Sequence, residues 1–379
     1  MSFDHYISVG RDRLRCGYTT GTCAAAAARG AAEALLTGCR PPLVRVDTPA
    51  GLTVDAELLD WTSGPDWQSC AVRKDGGDDP DATHGALIFA RVARTAAPGV
   101  TIDGGEGVGR VTRPGLDQPV GAAAINRVPR QMIEREVRAA LSAAHQEGGL
   151  SVTISVPAGA ALAQKTFNPR LGIEGGISIL GTSGIVRPMS EAALVDSLRL
   201  ELDMQYAAGS RDVLVTPGNY GETFARDVLG LSLAHACTCS NYIGEAIDHA
   251  AGLGFSSLLL VGHLGKLSKV AAGVMNTHSR TADARRETLT AHAALCGADR
   301  ATLRAVFDAV TTDDAVDILD RAHLRAPVLD SLMTALDAQL KRRAGPDLTI
   351  EALVFTNRHG LLAQTPAAPQ LIALHANRP

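Results

Sequence analysis

The stretch that decides how the first half of this chain folds is Lys165-Thr-Phe-Asn-Pro-Arg-Leu-Gly-Ile-Glu-Gly-Gly-Ile-Ser-Ile-Leu-Gly-Thr-Ser-Gly-Ile-Val-Arg-Pro-Met-Ser-Glu191. It holds five glycines and two prolines, interleaved with apolar residues. A segment bent this often, and yet this apolar, cannot be one regular helix or strand, and glycine is favoured where backbone must come close. The pattern indicates a chain folding tightly around something, either as a buried crossover between two domains or as a loop that holds a ligand.

Upstream of this stretch, short strand-like runs alternate with turns and two helical segments. Threonines at positions 19, 20 and 22 precede an alanine-rich segment, residues 24–36, that favours a helix, and residues 129–145 form a second, amphipathic one. The strand-like runs are residues 43–48, 52–59, 70–73, 86–94, 110–113 and 151–156. Short strands with few helices predict an α+β domain whose sheet is mainly antiparallel.

Downstream, the order of a strand, a glycine-containing loop and a helix recurs. The strands of this pattern are residues 212–216, 255–261 and 348–355. This order is typical of a parallel sheet that binds ligands at the carboxyl ends of its strands. We therefore expect two domains, of the α+β and α/β classes. The first is an N-terminal, mainly antiparallel α+β domain over residues 1–208, and the second a C-terminal Rossmann-like parallel α/β domain over residues 209–379.

The composition excludes several classes of partner. Lys plus Arg is 36 and Asp plus Glu is 40, so a net charge of −4 gives no electrostatic case for nucleic acid, and aromatics are only 4%. No apolar run approaches the length of a membrane span, and residues 1–11 lack a secretory core. Seven irregularly spaced cysteines indicate reduced thiols, and Cys237 with Cys239 is too isolated a pair for a zinc site. We expect a cytoplasmic protein without a metal site, a nucleic-acid partner or a membrane partner; a homo-oligomer is compatible with this composition.

Three segments of the first half carry residues suited to chemistry. Thr20 lies among threonines at a helix start, where backbone N–H groups and hydroxyls suit an anion, although capping alone explains them as well. The acid-rich residues 74–85 include Lys74, Asp79 and His84, and a functional loop and a solvated turn explain them equally. The glycine-rich residues 103–110 look like a phosphate loop but lack its lysine.

Two segments of the second half follow predicted strands. Residues 217–221, Pro-Gly-Asn-Tyr-Gly, are the strongest candidate for cofactor binding, because their glycines let backbone approach a ligand. Residues 262–280 place His263, Lys266, His278 and Arg280 at both ends of one helix, so we expect them near one another. Either histidine alone would more often be a satisfied core residue, but two in loops at one sheet edge favour a site.

Taken in order, these segments resemble the CbiD family, the cobalt-precorrin-5B (C-1)-methyltransferases of cobalamin biosynthesis. The most specific matches are the 165–191 stretch and the segment from residue 262 to residue 279. Arg127 stands where the family pattern has proline, and Ser183 where threonine is usual. Eight motifs carry the resemblance over most of the chain: residues 14–23, 74–85, 104–116, 124–133, 165–191, 217–221, 240–245 and 261–280.

The resemblance implies methyl transfer from S-adenosylmethionine to a ring carbon of a corrinoid precursor, with cobalt carried by the substrate alone. We expect the methyl donor at the strand ends in the second domain, with residues 175–184 as the alternative place. The candidate cofactor-binding residues are Thr216, Gly218, Asn219, Gly221 and Gly262. The candidate substrate-binding residues are Thr20, Lys74, Lys165, Arg170, Arg187 and Lys266. The candidate catalytic residues are His84, Asp79, His263 and His278.

Two other functions stay open at this point. One is a small-molecule kinase-like enzyme that uses residues 19–22 or 104–109 for phosphate; it would bind ATP with Mg²⁺ and not the methyl donor. The other is a non-catalytic corrinoid or cobalt carrier that holds its ligand through His263, His278 and Cys237. The carrier would bind the tetrapyrrole and form no product with the methyl donor present.

Overall fold

The computed structural model describes residues 3–169 and 171–376. Within it the chain divides into two compact units, Met1–Glu191 and Ala192–Pro379. This division lies one helix before Gly209, and the domain boundary expected at residues 208/209 stays a prediction. The described residues form a mixed α/β protein with twelve helices.

The first unit combines short strands with two long helices. Its strands are β1 Tyr6–Val9, β2 Asp12–Arg15, β3 Gly17–Tyr18, β4 Leu43–Asp47, β5 Thr53–Glu57, β6 Leu59–Gly64, β7 Trp67–Arg73, β8 Leu87–Thr95, β9 Gly99–Gly104, β10 Arg110–Val111, β11 Gly149–Ser155, β12 Ile173–Glu174 and β13 Ile185–Val186. Its helices are α1 Thr20–Thr37, α2 Arg127–Ala143 and α3 Gly159–Ala163.

The main sheet of this unit has the order β6-β7-β8-β11-β9. Three of its four pairings are antiparallel, and β11 pairs with β9 in parallel. Helix α1 packs on β7, β8 and α2 through a run of alanines, residues 24–28, that is fully buried. Alanine stabilises the helix and lets its backbone approach the sheet closely. The helix starts where the Thr19 hydroxyl accepts the N–H of Thr22, and it ends at Gly38, whose φ is 79°.

The 165–191 stretch packs inside the first unit. Its two-residue strands β12 and β13 pair with β10 and β3, and Ile177 and Ile179 form single bridges to Val108 and Ile125. A Cβ on Gly176 would lie 2.1 Å from the carbonyl oxygen of Gly107. Part of this stretch therefore packs against the protein's own glycine loop, residues 104–109, and contact between two backbones requires a glycine at position 176.

The second unit alternates strands and helices. Its strands are β14 Asp212–Thr216, β15 Ala236–Thr238, β16 Ser257–His263, β17 Thr349–Thr356 and β18 Gly360–Gln364. Its helices, the first of which begins at the last residue of the first unit, are α4 Glu191–Ala207, α5 Asn219–Asp227, α6 Ile243–Leu253, α7 Leu264–Ala271, α8 Arg285–Leu295, α9 Arg300–Asp308, α10 Thr312–Arg321, α11 Arg325–Ala344 and α12 Ala368–Ala376.

The sheet of the second unit has the order β15-β14-β16-β17-β18. Its first four strands are parallel, and β18 pairs antiparallel with β17. The expectation of a third strand–loop–helix unit was wrong, because residues 356–360 turn directly into β18. Gly360, at φ 65°, allows this reversal. The sheet is therefore mixed, and apolar clusters cover both of its faces.

No helix in the described part of the chain has the length and apolarity of a membrane span. Within the same residues, no group of three His, Cys, Asp or Glu side chains is arranged to hold a metal ion. The seven cysteines are free thiols, and five of them are buried. Burial raises the pKa of Cys23, Cys70 and Cys239 to about 12, which keeps these thiols protonated and poorly reactive.

Candidate active site

A crevice is expected where the strand order of the second sheet reverses. The chain leaves β14 for β15 on one side of it and returns to β16 on the other side. Loops that diverge in this way leave space at the carboxyl ends of the two central strands, and open α/β sheets bind ligands there. The segments at these strand ends are residues 217–221, a short loop and the first turn of α5, and residues 262–266, the end of β16 and the first turn of α7.

Gly218 lies where this crevice is expected, between the end of β14 and the start of α5. It precedes α5 with φ 110° and ψ −178°, a conformation that only glycine adopts without strain. A Cβ at this position would meet no atom within 4 Å, so this side of the backbone is open. Asn219 and Tyr220, the first two residues of α5, are exposed, and the Tyr220 side chain is 69% exposed. The sequence predicted no role for Tyr220, although the aromatic residue of the Pro-Gly-Asn-Tyr-Gly segment is visible in it.

Lys266 connects three chain segments at these strand ends through hydrogen bonds. Its Nζ donates to the carbonyl oxygens of Pro217, at 2.7 Å, and Ser240, at 2.9 Å. The loops after β14 and β15 are thereby fixed to the first turn of α7. Burial lowers the pKa of Lys266. An ammonium has three donors, so one N–H is left for a ligand once these two carbonyls are bound.

Three residues proposed to bind the cofactor serve packing as well. Thr216 is fully buried. A Cβ on Gly221 would lie 2.7 Å from the carbonyl oxygen of Val261, and one on Gly262 would lie 2.8 Å from the Leu267 side chain. Substitution of either glycine would therefore disturb the sheet as well as any ligand contact. Their role in cofactor binding stays a prediction that glycine variants cannot test cleanly.

The segment after α7 is bound to the same loops. Thr277 N–H donates to the carbonyl oxygen of Asn241 at 2.9 Å, one residue after Ser240, and buried Lys269 donates to the Thr277 carbonyl at 3.1 Å. His278 therefore directly follows Thr277, which is bound to Asn241, the residue after the Ser240 that Lys266 contacts. His263, the N-cap of α7, instead interacts electrostatically with Asp313 and Arg285. Its ring meets Phe355 edge-on at 5.6 Å.

The three candidate catalytic histidines share one property. Nδ1 of each ring accepts a backbone N–H, from Gly76 to His84 at 3.0 Å, from Gly265 to His263 at 3.1 Å and from Arg280 to His278 at 3.0 Å. A nitrogen that accepts cannot carry the proton, so the neutral rings carry it on Nε2. Each ring then offers an outward donor rather than a lone pair. Burial also lowers the pKa of His263, which favours its neutral form.

The acid-rich loop of the first unit is held by its own charges. Lys74 is buried and forms an ion pair with Asp81, whose other oxygen accepts the Thr83 N–H at 2.7 Å. Arg15 binds Asp75 through two bonds of 2.5 and 2.8 Å. The internal ion pair leaves the Lys74 ammonium little freedom to bind substrate, and its assignment as a substrate residue stays a prediction.

Asp79 and His84 occupy the outer part of this loop. The carboxylate of Asp79 accepts the N–H of Met189 at 2.9 Å, which connects the loop to the end of the 165–191 stretch. Met189 has φ 54°, and its side chain is 56% exposed. The His84 side chain is more than half exposed. Asp79 thus has a positioning contact, and catalytic roles for both residues stay predictions.

The remaining candidate substrate-binding residues differ in how far they are exposed to solvent. Thr20 is buried, and its hydroxyl accepts the Leu180 N–H at 2.9 Å, so the chain itself occupies the expected anion site. Lys165 and Arg187 are exposed. Arg170 lies outside the described residues. Apolar side chains of the same stretch are also exposed, Phe167 by 50% and Leu180 by 49%.

Sequence reasoning missed a pair of groups at the edge strand of the second sheet. The Thr238 hydroxyl donates to the Glu222 carboxylate at 2.5 Å, and the Thr238 N–H donates to Glu201 at 3.2 Å. Glu222 belongs to the first turn of α5, next to Gly218. Two carboxylates thus meet at Thr238, the last residue of β15. No local sequence motif predicts this contact, because its three residues come from α4, α5 and β15, which are separate in the sequence.

Comparison with known proteins gives consistent matches. The family model CbiD matches residues 7–188, and the model of the CbiD C-terminal domain matches residues 276–366. A Ruminiclostridium cellulolyticum protein named cobalt-precorrin-5B C(1)-methyltransferase is 46% identical over 354 residues, 93% of this chain and 92% of that protein. An Edwardsiella ictaluri protein of the same name is 47% identical over 343 residues, 90% of this chain and 87% of its own. A crystal structure of the cobalamin biosynthesis protein cbiD from Archaeoglobus fulgidus is 31% identical, with a TM-score of 0.40, and the match covers 74% of this chain and 87% of that one.

Proposed function

The chain belongs to the CbiD family, and we propose that it methylates C-1 of cobalt-precorrin-5B with S-adenosylmethionine as donor, giving cobalt-precorrin-6A in cobalamin biosynthesis. The observation that carries this proposal is the identity of 46–47% over nine-tenths of the chain to proteins named for that reaction. We place the reaction in the cytoplasm, where the seven free thiols would stay reduced.

We assign the methyl donor to the crevice between the loops that follow β14 and β16. The four parallel strands and the reversal of their order make the second unit Rossmann-like in this proposal. The donor carries a carboxylate, an ammonium and a sulfonium. The remaining N–H of Lys266 suits the carboxylate, and the open side of Gly218 admits the ligand. The Glu222 carboxylate provides negative charge near a sulfonium.

We assign the corrinoid to the exposed residues of the 165–191 stretch. A corrin ring has apolar faces and a rim of carboxylate side chains. Phe167 and Leu180 offer apolar area, and Lys165 and Arg187 offer cations for the rim. This surface therefore matches the macrocycle better than it matches a nucleotide, whose phosphates would need the helix start that Leu180 and Thr20 already occupy.

In this proposal the protein accelerates the reaction mainly by aligning the reacting atoms. Sulfur, methyl carbon and ring carbon must be collinear, and positioning alone can lower a barrier by roughly 7–11 kcal/mol. His263 and His278, as Nε2–H donors, are suited to hold a carbonyl or carboxylate of a bound ligand. They are not suited to take up a proton without losing the backbone bond at Nδ1.

The test is incubation of the purified protein with the precursor and methyl-labelled S-adenosylmethionine. We expect one labelled methyl group per macrocycle, located at C-1 by mass spectrometry and NMR. Binding of the tetrapyrrole without product would support the carrier instead. Binding of ATP with Mg²⁺, and no binding of the methyl donor, would support the kinase-like enzyme.

Lys266→Met should weaken the binding of S-adenosylhomocysteine at least tenfold. The variant loses the link between the loops at Pro217 and Ser240 and leaves two carbonyls without their donor, which costs about 1–3 kcal/mol for each buried group. Isothermal calorimetry measures the change, and Lys341→Met, on the exposed face of α11, is the matched control. Unchanged affinity would move the donor to residues 175–184. A fall in melting temperature alone would make Lys266 purely structural.

A further inference from the structure

Met189 has an unusual backbone conformation for its residue type. Five non-glycine residues in the described part of the chain have a positive φ, and Met189, at 54°, is the only apolar one among them. Its side chain is 56% exposed, although the preceding Pro188 is buried. A large apolar side chain that is held outward by a strained backbone adds little burial to the fold. Such strain persists only where the surrounding structure enforces it, and it concentrates at functional segments.

The acid-rich loop, residues 74–85, stabilises this strained conformation. The carboxylate of Asp79 accepts the N–H of Met189 at 2.9 Å, although the two residues are 110 positions apart in the chain. Asp79 is itself fixed within the loop, because its carbonyl oxygen accepts the Asp81 N–H at 2.8 Å. The conformation of Met189 therefore depends on a loop from a distant part of the same unit.

The other three carboxylates of the loop hold the loop itself in place. Asp75 binds the guanidinium of Arg15, and Asp78 accepts the backbone N–H of Arg15 at 2.6 Å. Asp81 forms its ion pair with the buried Lys74. All four carboxylates thus bind donors of the chain itself, which makes the loop a rigid support for the residue that it contacts.

The surface beside Met189 has the chemistry that a corrin requires. The exposed Arg187 lies two residues before Met189, at most about 7 Å away along the backbone. A guanidinium next to an apolar side chain matches a ring that has apolar faces and a rim of carboxylates. The methionine side chain is unbranched and polarisable, so it adapts to the face of a large conjugated ring.

We propose that Met189 contacts one face of the corrinoid and that Asp79 is the positioning residue of this contact. The inference rests on the proposed function, because it deepens the assignment of the corrinoid to the 165–191 stretch. Asp79 fixes the backbone of Met189, the strained backbone keeps the side chain exposed, and the macrocycle covers that side chain on binding. Because the free protein already holds this conformation, less ordering is required when the substrate binds.

Met189→Gly should weaken corrin binding without a loss of stability. Glycine adopts a positive φ without strain, so the melting temperature should stay the same or rise. The affinity for cobyrinic acid, a stable cobalt corrin with a carboxylate rim, should fall at least fivefold, because apolar contact area is lost. Isothermal calorimetry measures it, and binding of S-adenosylhomocysteine should be unchanged. His145→Gly is the matched control, on an exposed residue with φ 51° outside the 165–191 stretch.

Asp79→Ala tests the positioning role. This variant removes the acceptor of the Met189 N–H and should weaken the binding of cobyrinic acid, whereas Asp79→Asn keeps a carbonyl oxygen and should retain most of the affinity. In the double variant with Met189→Gly the two losses should not add, because Asp79 acts through Met189. Fully additive losses would overturn the positioning role.

Methyl NMR detects the contact directly. The ¹³C-methyl signal of Met189, assigned by its absence from Met189→Leu, should shift when cobyrinic acid is added, and that of the buried Met132 should not. An unchanged Met189 signal in the corrin-bound protein overturns the proposal. A parent that binds no corrin and forms no methylated product would refute the proposed function first. If the parent binds the corrin and Met189→Gly binds it equally well, this inference alone fails.

Discussion

Gly176→Ala should destabilise the first unit by on the order of 3–5 kcal/mol, in the range of the most damaging single substitutions. The added Cβ would lie 2.1 Å from the carbonyl oxygen of Gly107 and 2.2 Å from its carbonyl carbon. Both atoms are backbone, so no side chain can move aside. The Gly107 carbonyl also accepts the N–H of Ile177, so a shift of either chain breaks the pairing of the two glycine loops. Chemical denaturation measures the loss.

The adjacent glycine gives the matched control. Gly175 has φ 81°, and a Cβ there would meet nothing within 4 Å. Gly175→Ala should therefore cost only the strain of a left-handed alanine, about 1–2 kcal/mol. Equal losses in the two variants would show that conformational freedom, and not close backbone contact, explains the glycines of this stretch.

Asp81→Asn should destabilise the first unit by about 3 kcal/mol, because it leaves the buried Lys74 ammonium without its counter-charge. Asp79→Asn is the matched control in the same loop, since within the described part of the chain the Asp79 side chain makes one exposed bond, to the Met189 N–H. Thermal unfolding of both variants measures the difference. If Asp79→Asn instead slows single-turnover methylation tenfold at full stability, the loop has the catalytic role that its sequence suggests. A stable Asp81→Asn variant would contradict the buried-pair explanation.

The contribution of Asp81 to the stability of the protein should be lost at low pH. Burial opposes its ionised form, but Lys74 and the bonds from Thr83 outweigh burial and lower the pKa of this carboxyl. A carboxyl whose pKa is lowered by folding stabilises the protein above its unfolded pKa of about 4. That contribution is lost as the pH falls through the lower, folded value. The stability difference between parent and Asp81→Asn should be constant near neutral pH and shrink below about pH 4.

Local signals in the sequence were sufficient for several elements of both units. The strand predicted at residues 212–216 is β14, and the helix predicted at residues 24–36 is the centre of α1, capped by Thr19 as expected. A buried strand, a cap and a glycine turn each involve residues within a few positions of one another, so the pattern alone reveals them. The ordered motifs likewise indicate the CbiD family from the sequence alone.

Only the tertiary structure decided what the polar and glycine residues do. Gly176 of the 165–191 stretch faces the backbone of Gly107, and the Asp79 carboxylate accepts the N–H of Met189, 110 positions later in the chain. The same holds for Lys266, whose carbonyl partners come from two other loops. Close backbone contact, a buried ion pair and the tautomer of a histidine depend on atoms brought together from distant parts of the chain. The sequence determined which elements form and to which family they belong, and the packing of those elements determined which side chains are free to act.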